Sequence, residues 1–515
     1  MTKNTDLVLG IDLGTTYSVV AIHQQGDPLV VPDPITGSFR VPSVIQFSGD
    51  TVIVGQMAKD ALITHPDSVV ELVKRSMGTD RVFGFAGRTL GPELISSLIL
   101  SSLVNNARTC AGVGPGVPVK AVITVPAYFG TAEREATHIA GELAGLDVLD
   151  LVAEPVAAAA AFGDTGAVRR ILVYDLGGGT FDVTVLKSRR SGVTVMSTGG
   201  DSALGGADWD SRLIDMVGTR FLTTIGADEE TREDFWDDQE AMARLALAAT
   251  SLKENLTARV TARVTVSWRG HTETIVVERG EFEAATSDLV ARTLDTTRQA
   301  LTDSGLGEGP LIDEVILVGG SSRMPMIPAA LGQKLGVSPR LVDPDLVVAK
   351  GAAIIAGTLT AKSPTRADYR SVVPRSLGVL LHDSYDPQAR RQIVQHIIDR
   401  NTALPAHATA RFATIVRGQP TVHLQVMEQA GQMPSPEPQH NRRVIDAQLT
   451  VTAELPAGSP IDVALDVAVD GRITVSGTEP TSGSRVELEY YLDQVTEGRS
   501  LTAQRESLSG ITVAQ

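Results

Sequence analysis

The most informative feature of this sequence is a pair of short segments that resemble each other. Residues 10–20 read GIDLGTTYSVV, and residues 173–185 read VYDLGGGTFDVTV. Each pattern predicts a β-strand, a Gly-rich turn and a second strand, with Asp12 or Asp175 ending the first strand. Glycine lets backbone N–H groups approach a ligand closely, so such turns suit phosphate oxygens. Two copies favour two related lobes that grip one nucleotide.

The two aspartates indicate a cation. Asp12 and Asp175 would repel bare phosphate, whereas a hydrated Mg²⁺ beside phosphates is commonly held by one or two carboxylates. The alternative is that each segment is an ordinary hairpin, because short Gly motifs recur by chance. Because the same Asp-Leu-Gly pattern occurs twice, a shared nucleotide-binding site is favoured over two unrelated hairpins.

Composition sets the class of protein. A chain of 515 residues is expected to hold more than one domain. Its net charge of −16 argues against a general nucleic-acid or membrane binder, which needs a basic face. Cys110 is the only cysteine, which fits a reducing compartment. The sequence predicts neither a signal peptide nor an apolar membrane span, so we expect a cytoplasmic protein.

The pattern of strands and helices changes near residue 360. Before it, predicted helices such as Gln56–Met77 and Thr131–Ala144 alternate with strands. After it, short alternating strands separated by Pro, Gly, Asn and Asp predict an all-β module, most simply a sandwich. The boundary falls in Ala361–Pro374, and Gln429–Asn441 is predicted to be a mobile loop. The segment Leu492–Gln515 predicts either a short helix or a disordered tail.

Three further features are candidates for chemistry, each with a plainer alternative. Lys74 follows an apolar stretch and could act as a point charge on phosphate, although a lone lysine is more often a surface residue. Glu154 stands at a strand-to-helix turn, where a carboxylate also complements the helix dipole. Gly319–Ser321 follows a strand and could admit a flat base or be a simple turn. The sequence predicts no Walker loop, because Gly112–Lys120 precedes a strand.

Taken together, the motifs of this sequence resemble the 70-kDa heat-shock-protein (Hsp70) chaperone family from residue 6 to residue 490. In the first part the matching motifs are GIDLGTT (10–16), VPAYF (125–129), EPVAAA (154–159), DLGGGTFD (175–182), LGG (204–206), LVGGSSR (317–323) and DPDLVVAKGAA (343–353). In the β-module they are NTALP (401–405), Phe412, VHLQV (422–426) and Asp470–Gly471.

The resemblance implies a domain organisation. It predicts an α/β, actin-like ATPase domain with duplicated ribonuclease H-like lobes over residues 1–362, and an interdomain linker over 363–374. An all-β sandwich that binds peptide would follow over 375–491. A short C-terminal tail, 492–515, would stand in place of a full helical lid.

The resemblance also implies roles for individual residues. The catalytic set would be Asp12, Lys74, Glu154, Asp175 and Thr180, with Asp12 and Asp175 ordering Mg²⁺ through water. The phosphates of ATP would be held by Gly14, Thr15, Thr16, Gly177, Gly178, Gly179, Thr180, Gly205 and Gly206. Adenosine would meet Lys253, Thr257, Gly319, Gly320, Ser321, Arg323 and Asp345. Peptide would meet Val394, Phe412, Ile415, Val422 and Leu424, although apolar residues that alternate along strands are usually core.

The sequence departs from the family pattern at several positions. The linker reads ADYRSV (367–372) where an aliphatic run is usual, so we expect it to dock less well in an apolar groove. Asp150 replaces an arginine expected to contact a J-domain co-chaperone. Ala207 and Thr250 replace acidic residues near the ribose, and Ile415 is bulky for its position in the peptide cleft. Without a lid, bound peptide should leave faster.

The sequence thus predicts an ATP-hydrolysing chaperone that binds extended hydrophobic peptides or unfolded clients. Its implied cofactors are ATP and Mg²⁺, and its implied helpers are a J-domain protein and a nucleotide exchange factor. Two alternatives stay open at this stage. One is an ATP-binding scaffold whose linker no longer transmits a signal, and the other is a small-molecule kinase of the actin fold.

Overall fold

The computed structural model describes residues 6–24, 28–85, 88–161, 168–189, 192–306, 312–361, 368–386, 390–431, 434–451, 454–469, 471–490, 501–508 and 510–514. Three predicted features fall partly outside these ranges: the linker before Asp368, Asp470 of the predicted hairpin, and tail residues 492–500. Within the described ranges, no helix is long and apolar enough to cross a membrane.

The first lobe comprises residues 6–161. Its strands are β1 (Leu7–Asp12), β2 (Tyr17–His23), β3 (Pro28–Val30), β4 (Val41–Pro42), β5 (Ile45–Ser48), β6 (Thr51–Val54), β7 (Val69–Val70), β8 (Phe83–Phe85), β9 (Arg88–Leu90), β10 (Val119–Val125) and β11 (Asp147–Ala153). Its helices are α1 (Gln56–Asp60), α2 (Pro92–Ala111), α3 (Thr131–Leu143) and α4 (Glu154–Ala161). The main sheet has the order β11-β10-β1-β2-β3, with β4 paired to β2.

The second lobe comprises residues 168–361. Its strands are β12 (Arg169–Leu176), β13 (Phe181–Arg189), β14 (Gly192–Asp201), β15 (Thr261–Trp268), β16 (His271–Glu278), β17 (Glu314–Val318) and β18 (Arg340–Leu341). Its helices are α5 (Gly206–Thr224), α6 (Glu229–Asp237), α7 (Gln239–Ala258), α8 (Arg279–Ala285), α9 (Ser287–Asp303), α10 (Met326–Leu335) and α11 (Val347–Thr360).

The β-module comprises residues 371–490, and β19 (Asp368–Arg370) precedes it. Its strands are β20 (Leu377–His382), β21 (Gln392–Ile398), β22 (Ala406–Ala413), β23 (Thr421–Gln429), β24 (Asn441–Thr450), β25 (Pro460–Val467), β26 (Ile473–Glu479) and β27 (Ser484–Tyr490). The chain ends with α12 (Leu501–Leu508) and β28 (Thr512–Val513).

The two lobes repeat one topology. In each, an Asp-Leu-Gly strand pairs antiparallel with the strand that follows it: β1 with β2, and β12 with β13. The same strand also pairs parallel with a later strand, β1 with β10 and β12 with β17. The mixed α/β architecture agrees with the predicted class.

Small residues let two helices lie between the sheets. A Cβ at Gly351 of α11 would fall 1.7 Å from the Ala157 carbonyl oxygen of α4. A Cβ at Gly10 of β1 would fall 2.0 Å from the Ala353 nitrogen of α11. These helices share one apolar cluster with strands of both lobes, for example Val122 and Val173. The Ala-rich segments therefore bring the ends of β1 and β12 close together.

The β-module is built from two four-stranded sheets, β21-β20-β23-β24 and β22-β25-β26-β27. Val426 and Ile445 from one sheet share a buried core with Val463, Leu465 and Val475 from the other. Alternate residues of these strands point inward, as a half-buried strand requires. The module thus has the two-sheet arrangement that the alternating pattern predicts.

The linker docks, contrary to the expectation drawn from its polar residues. The residues of β19 pair in parallel with residues 192–194 of β14 and extend the second sheet. Tyr369 and buried Val372 pack against the apolar cluster between the lobes. Backbone pairing does not depend on side-chain polarity, and two apolar residues cover the groove, so a polar sequence still docks.

The prediction of one helix over Gln56–Met77 is wrong. Only α1 and short 3-10 turns at Pro66–Ser68 and Val73–Ser76 are helical there, and β7 interrupts them. Pro66 lacks an N–H for a helix, and Val69 and Val70 pair with β5. Lys74 is consequently carried on a 3-10 turn.

Candidate functional site

The two Asp-Leu-Gly turns face each other where the two lobes meet. A Cβ at Gly178 would fall 1.7 Å from Thr16 Oγ1, and one at Gly179 would fall 2.2 Å from Thr15 Cγ2. The turns are in direct contact across the lobes, and these glycines leave room for the opposite threonines. Arg75 of the first lobe also contacts the second turn, because its Nε donates a hydrogen bond to the Gly179 carbonyl oxygen at 2.7 Å.

Beside the turns lies a cavity of about 670 Å³ to which both lobes contribute. Most of the residues predicted from the sequence line it: Asp12, Gly14, Thr15, Thr16, Lys74, Glu154, Asp175, Gly177, Gly178, Thr180, Lys253, Thr257, Gly319, Gly320, Ser321, Arg323 and Asp345. The predicted residues Gly179, Gly205 and Gly206 are not in its lining. A Cβ at Gly206 would nevertheless fall 2.3 Å from Ser321 Oγ and 3.0 Å from Lys253 Nζ, so it lies directly behind the wall.

The inner end of the cavity concentrates buried charge. Lys74 Nζ donates to Glu154 Oε1 at 2.6 Å, and both side chains are almost fully buried. Asp12 accepts a hydrogen bond from Thr124 Oγ1 at 3.3 Å. Asp175, next to the last residue of β12, is also buried. One lysine faces several carboxylates here, so the inner end carries excess negative charge.

Burial and this excess negative charge together raise the pKa values of the two aspartates. Burial, together with the charge of Glu154, raises the pKa of Asp12 from 3.8 to about 7. Burial and then the charges of Glu154 and Asp12 raise the pKa of Asp175 well above its usual range. A carboxylate in this position is stabilised in its charged form by a nearby cation. The donor set therefore fits a divalent cation that both lobes share.

Asp182, the last residue of the DLGGGTFD motif, has no predicted role and is not part of the cavity lining, but it interacts electrostatically with Glu154 and Asp175. It is buried, and its Oδ1 accepts a hydrogen bond from the Ala127 N–H at 3.0 Å. Burial, followed by the charge of Glu154, raises its pKa well above the usual range. Its place at the end of DLGGGTFD was the available signal.

The outer end of the cavity is polar and is bridged between the lobes. Lys253 Nζ donates to Asp210 Oδ2 and to the Gly206 carbonyl oxygen, each at 2.8 Å. Thr250, which stands where the family has an acidic residue, also donates to Asp210 Oδ2, at 3.2 Å. Arg323 and Arg40 both pair with Asp345, at 2.5 and 3.4 Å.

Several of these groups were not identified from the sequence. Arg40 lies 4.9 Å from the centre of the Tyr17 ring, and Lys59 lies 5.0 Å from it. Both cations line the cavity together with Glu71, which is exposed. Their positions in the chain carry no motif, so only the fold brings them to the site.

The five predicted peptide-binding residues have different environments. Val394 and Leu424 are each only 2% exposed, and Leu424 belongs to the core between the two sheets. Phe412 and Val422 are half-buried against that core, whereas Ile415 is 47% exposed. Leu424 therefore fits the core alternative, and Ile415 is the member most available to a ligand.

The β-module contacts the first lobe through a buried carboxylate. Glu428, at the end of β23, accepts hydrogen bonds from the Thr131 backbone N–H at 3.0 Å and from Thr131 Oγ1 at 2.7 Å. Helix α3 begins at Thr131, and the residue at its N-cap position, Gly130, has no side chain that could accept a hydrogen bond. The β-module thus supplies the cap of a first-lobe helix, which stabilises unpaired N–H groups and the positive helix end.

Arginine and asparagine side chains complete this contact. Arg375 Nη2 donates to Glu133 Oε1 at 2.9 Å, and its Nε donates to the Tyr128 carbonyl oxygen at 3.2 Å. On the second lobe, Asn401 Oδ1 accepts from the Thr198 N–H at 2.8 Å. The β-module is therefore hydrogen-bonded to both lobes.

A comparison with protein families agrees with this architecture. The family described as Hsp70 protein matches residues 8–83 and 81–502, which is nearly the whole chain. Members of this family are ATP-binding proteins of the chaperone type, and they are ATPases in general. The facing Asp turns, the shared cavity and the attached β-module lie in the matched region, and the chain belongs to the Hsp70 family.

Proposed function

We propose that this protein hydrolyses ATP and uses the bound nucleotide to control how its β-module binds extended hydrophobic peptides. The observation that carries the proposal is the single cavity in which Asp12 and Asp175 from different lobes lie beside the Lys74–Glu154 pair. In this proposal residues 1–362 are an actin-like ATPase domain, 363–374 the linker and 375–491 a peptide-binding sandwich. Residues 492–515 are a tail without a full lid.

Mg²⁺ and ATP fit the residues at the inner end. Asp12 and Asp175 would hold the metal through water, and it would neutralise phosphate charge there. The glycines and threonines of the two turns present N–H and hydroxyl donors that suit phosphate oxygens. Among the described residues no three His, Cys, Asp or Glu side chains form a direct metal cage. This arrangement agrees with a cation held partly by water and nucleotide.

Lys74 and Glu154 are suited to position the hydrolytic water. Lys74 carries the positive charge that offsets a developing negative charge on the γ-phosphate, and its ion pair with Glu154 fixes where that charge lies. Burial strengthens such electrostatic interactions because water is excluded. Thr180, buried at the end of its turn, lines the same space and offers a hydroxyl.

We propose two routes by which the nucleotide site acts on the β-module. The first runs along β23 (Thr421–Gln429), in which Glu428 accepts a hydrogen bond from the Thr131 N–H at the start of α3. The second runs from Arg375 to the Tyr128 carbonyl, next to Ala127, which hydrogen-bonds the buried Asp182. Strand β19, paired with β14, favours a coupled protein over an uncoupled scaffold. Asp150 on β11 is half-buried, and we propose that the contact with a J-domain co-chaperone at this position is either lost or reversed in charge.

The test of catalysis is single-turnover hydrolysis of ATP by the wild type, Asp175→Asn and Lys74→Ala. We expect each variant to hydrolyse ATP at least about 100-fold more slowly, because each loses an electrostatic contact to the transition state. Lys59→Ala, which removes another cation from the same cavity, is the matched control and should stay within about threefold of the wild-type rate. Equal rates in all four proteins would end the assignment.

The test of control is the affinity for an unfolded model peptide measured with ATP and with ADP. We expect the two affinities to differ at least about fivefold, a typical coupling between sites. A difference below about twofold, or about 0.4 kcal/mol, would instead support an ATP-binding scaffold. Transfer of phosphate to a small metabolite would support the kinase alternative.

A further inference from the structure

The C-terminal segment, described over residues 501–508 and 510–514, lies on the first lobe. Helix α12 packs against α3, and β28 packs against α2. Strand β28 also joins the small sheet of the first lobe, whose order is β28-β6-β5-β7. The segment is separated from the last strand of the β-module by residues 491–500, which are outside the described ranges.

Backbone hydrogen bonds fix the register of this contact. The Thr512 N–H donates to the Asp50 carbonyl oxygen at 2.9 Å, and the Ala514 N–H donates to the Val52 carbonyl oxygen at 2.8 Å. The pairing is parallel, with Thr512 beside Thr51 and Val513 beside Val52. Strand β6 is otherwise an edge, and an exposed strand edge readily accepts another strand.

Side chains add an apolar contact to the backbone pairing. Leu508, Ile511 and Val513 are half-buried and pack against the core of the first lobe, whereas Thr512 and Ala514 are exposed. This alternation is that of a strand with one buried face. Gln504 of α12 is only 1% exposed. The segment thus buries one face of both its helix and its strand.

An arginine of the first lobe joins the two ends of the contact. Arg88 Nη1 donates to the Ser507 carbonyl oxygen at 3.3 Å, at the end of α12. Its Nη2 donates to Asp50 Oδ1 at 3.0 Å, on the residue whose carbonyl accepts from Thr512. Between them, Gly510 has a φ of +83°, a conformation that glycine adopts without strain and that turns the chain from helix to strand.

We propose that this segment is an intramolecular clasp that keeps the β-module against the first lobe. The β-module is preceded by β19, which is paired with the second lobe, and followed by β28, which is paired with the first. Both flanking strands are thus paired with a lobe, and we expect these pairings to oppose separation of the β-module from the lobes. Helix α3 is held at its N-terminus by Glu428 and along its side by α12, so the clasp and the module act on the same helix.

The clasp predicts a distinct effect of two double substitutions on one strand. Ile511→Asn with Val513→Asn removes the buried face, whereas Thr512→Asn with Ala514→Asn changes only the exposed face and is the matched control. Docking is read from hydrogen exchange of the Thr131 and Thr198 amides, since both donate to acceptors on the β-module. Both amides are distant in sequence from the substituted residues of β28. The measurement is made on the full chain without nucleotide, so its outcome does not depend on the proposed ATPase activity.

We expect the buried-face variant to exchange at both amides at least about threefold faster than the wild type, because undocking is a local opening. The exposed-face variant should match the wild type. Arg88→Ala, a substitution at a partly exposed residue, should give an intermediate increase and serves if the double variant folds poorly. Unchanged exchange in both the buried-face variant and Arg88→Ala would overturn the clasp. A dimer that forms through exchanged tails at micromolar concentration would also overturn it.

Discussion

At the scale of single residues, the two Asp-Leu-Gly turns can be predicted because the residues that form each turn are consecutive in the sequence. Asp12 and Asp175 line one cavity, as expected from the repeated Asp-Leu-Gly pattern. The sequence does not predict Arg40 and Arg75 as residues of the site. Neither belongs to a motif, and each comes close to the site only because of the fold. Leu424 was placed in the peptide cleft by resemblance, whereas its side chain is in the core.

Gly178 provides a residue-scale prediction. A methyl group at this position would fall 1.7 Å from Thr16 Oγ1 and would push the two turns apart. We expect Gly178→Ala to weaken ATP binding at least about tenfold, because the phosphate donors of both turns would be displaced. Equilibrium titration with ATP measures this loss.

Gly116→Ala is the control for Gly178→Ala, since a Cβ at Gly116 meets nothing within 4 Å and its φ is not positive. It should bind ATP like the wild type. Wild-type affinity in Gly178→Ala would show that the two turns do not need to touch when nucleotide is bound.

At the scale of elements, local pattern predicted some boundaries closely and failed where tertiary contacts decide. The prediction of a helix at Thr131–Ala144 is confirmed by α3, which spans Thr131–Leu143. Helix Gln56–Met77 was overpredicted, because its apolar spacing did not reveal that Val69 and Val70 pair with β5. The docking of β19 was missed for a related reason, since strand pairing through the backbone leaves little trace in side-chain polarity.

The cap of α3 gives a prediction at this scale. Glu428→Ala removes the carboxylate that accepts from the Thr131 N–H and hydroxyl and leaves Arg375 with one partner fewer. We expect the docked arrangement to lose about 1–2 kcal/mol, the usual range for a lost helix cap. Hydrogen exchange at the first turn of α3 should accelerate accordingly.

Glu487→Gln is the matched control for the cap, because Glu487 lies on exposed β27 and pairs only with exposed Arg485 in the described structure. It should leave exchange at α3 unchanged. If Glu428→Ala also leaves it unchanged, the carboxylate does not hold the β-module to the first lobe in solution.

At the scale of the whole molecule, the sequence predicts an α/β part followed by an all-β part, and the helices and strands follow that order, but the sequence does not predict how the parts are held together. The contacts of Arg375 and Asn401 join residues far apart in the chain, and each partner is an ordinary polar residue in its own segment. The sequence predicts either a short helix or disorder for the tail, whereas the described residues 501–508 and 510–514 contain α12 and β28 on the first lobe. Such packing of modules depends on surfaces that exist only after each has folded.

Buried carboxylates predict how stability depends on pH without metal or nucleotide. The pKa of Asp12 is 3.8 when exposed and about 7 in the folded protein, so the folded state binds its proton more tightly. Stability should therefore fall as pH rises from about 4 to about 7, because the unfolded state releases this proton first. Thermal unfolding in a chelator measures this slope.

Two comparisons check the source of that slope. Asp12→Asn should reduce the slope, since the amide does not titrate, while Asp175 and Asp182 still contribute to it. Mg²⁺ with ATP should offset the slope by stabilising the charged carboxylates. If the melting temperature of the metal-free wild type rises steadily between pH 5 and pH 7, the buried carboxylates do not determine how stability depends on pH.

The most direct measurement of the central claim is calorimetric titration of ATP into the wild type, Asp12→Asn and Asp175→Asn, with Mg²⁺ and with a chelator. A shared cation predicts one ATP per chain, and affinity that falls at least about tenfold when Mg²⁺ is removed or when either aspartate is replaced. It also predicts that the chelator has little further effect on either variant. Equal affinity with and without Mg²⁺, or a loss in only one of the two variants, would contradict a nucleotide clasped through one metal by both lobes.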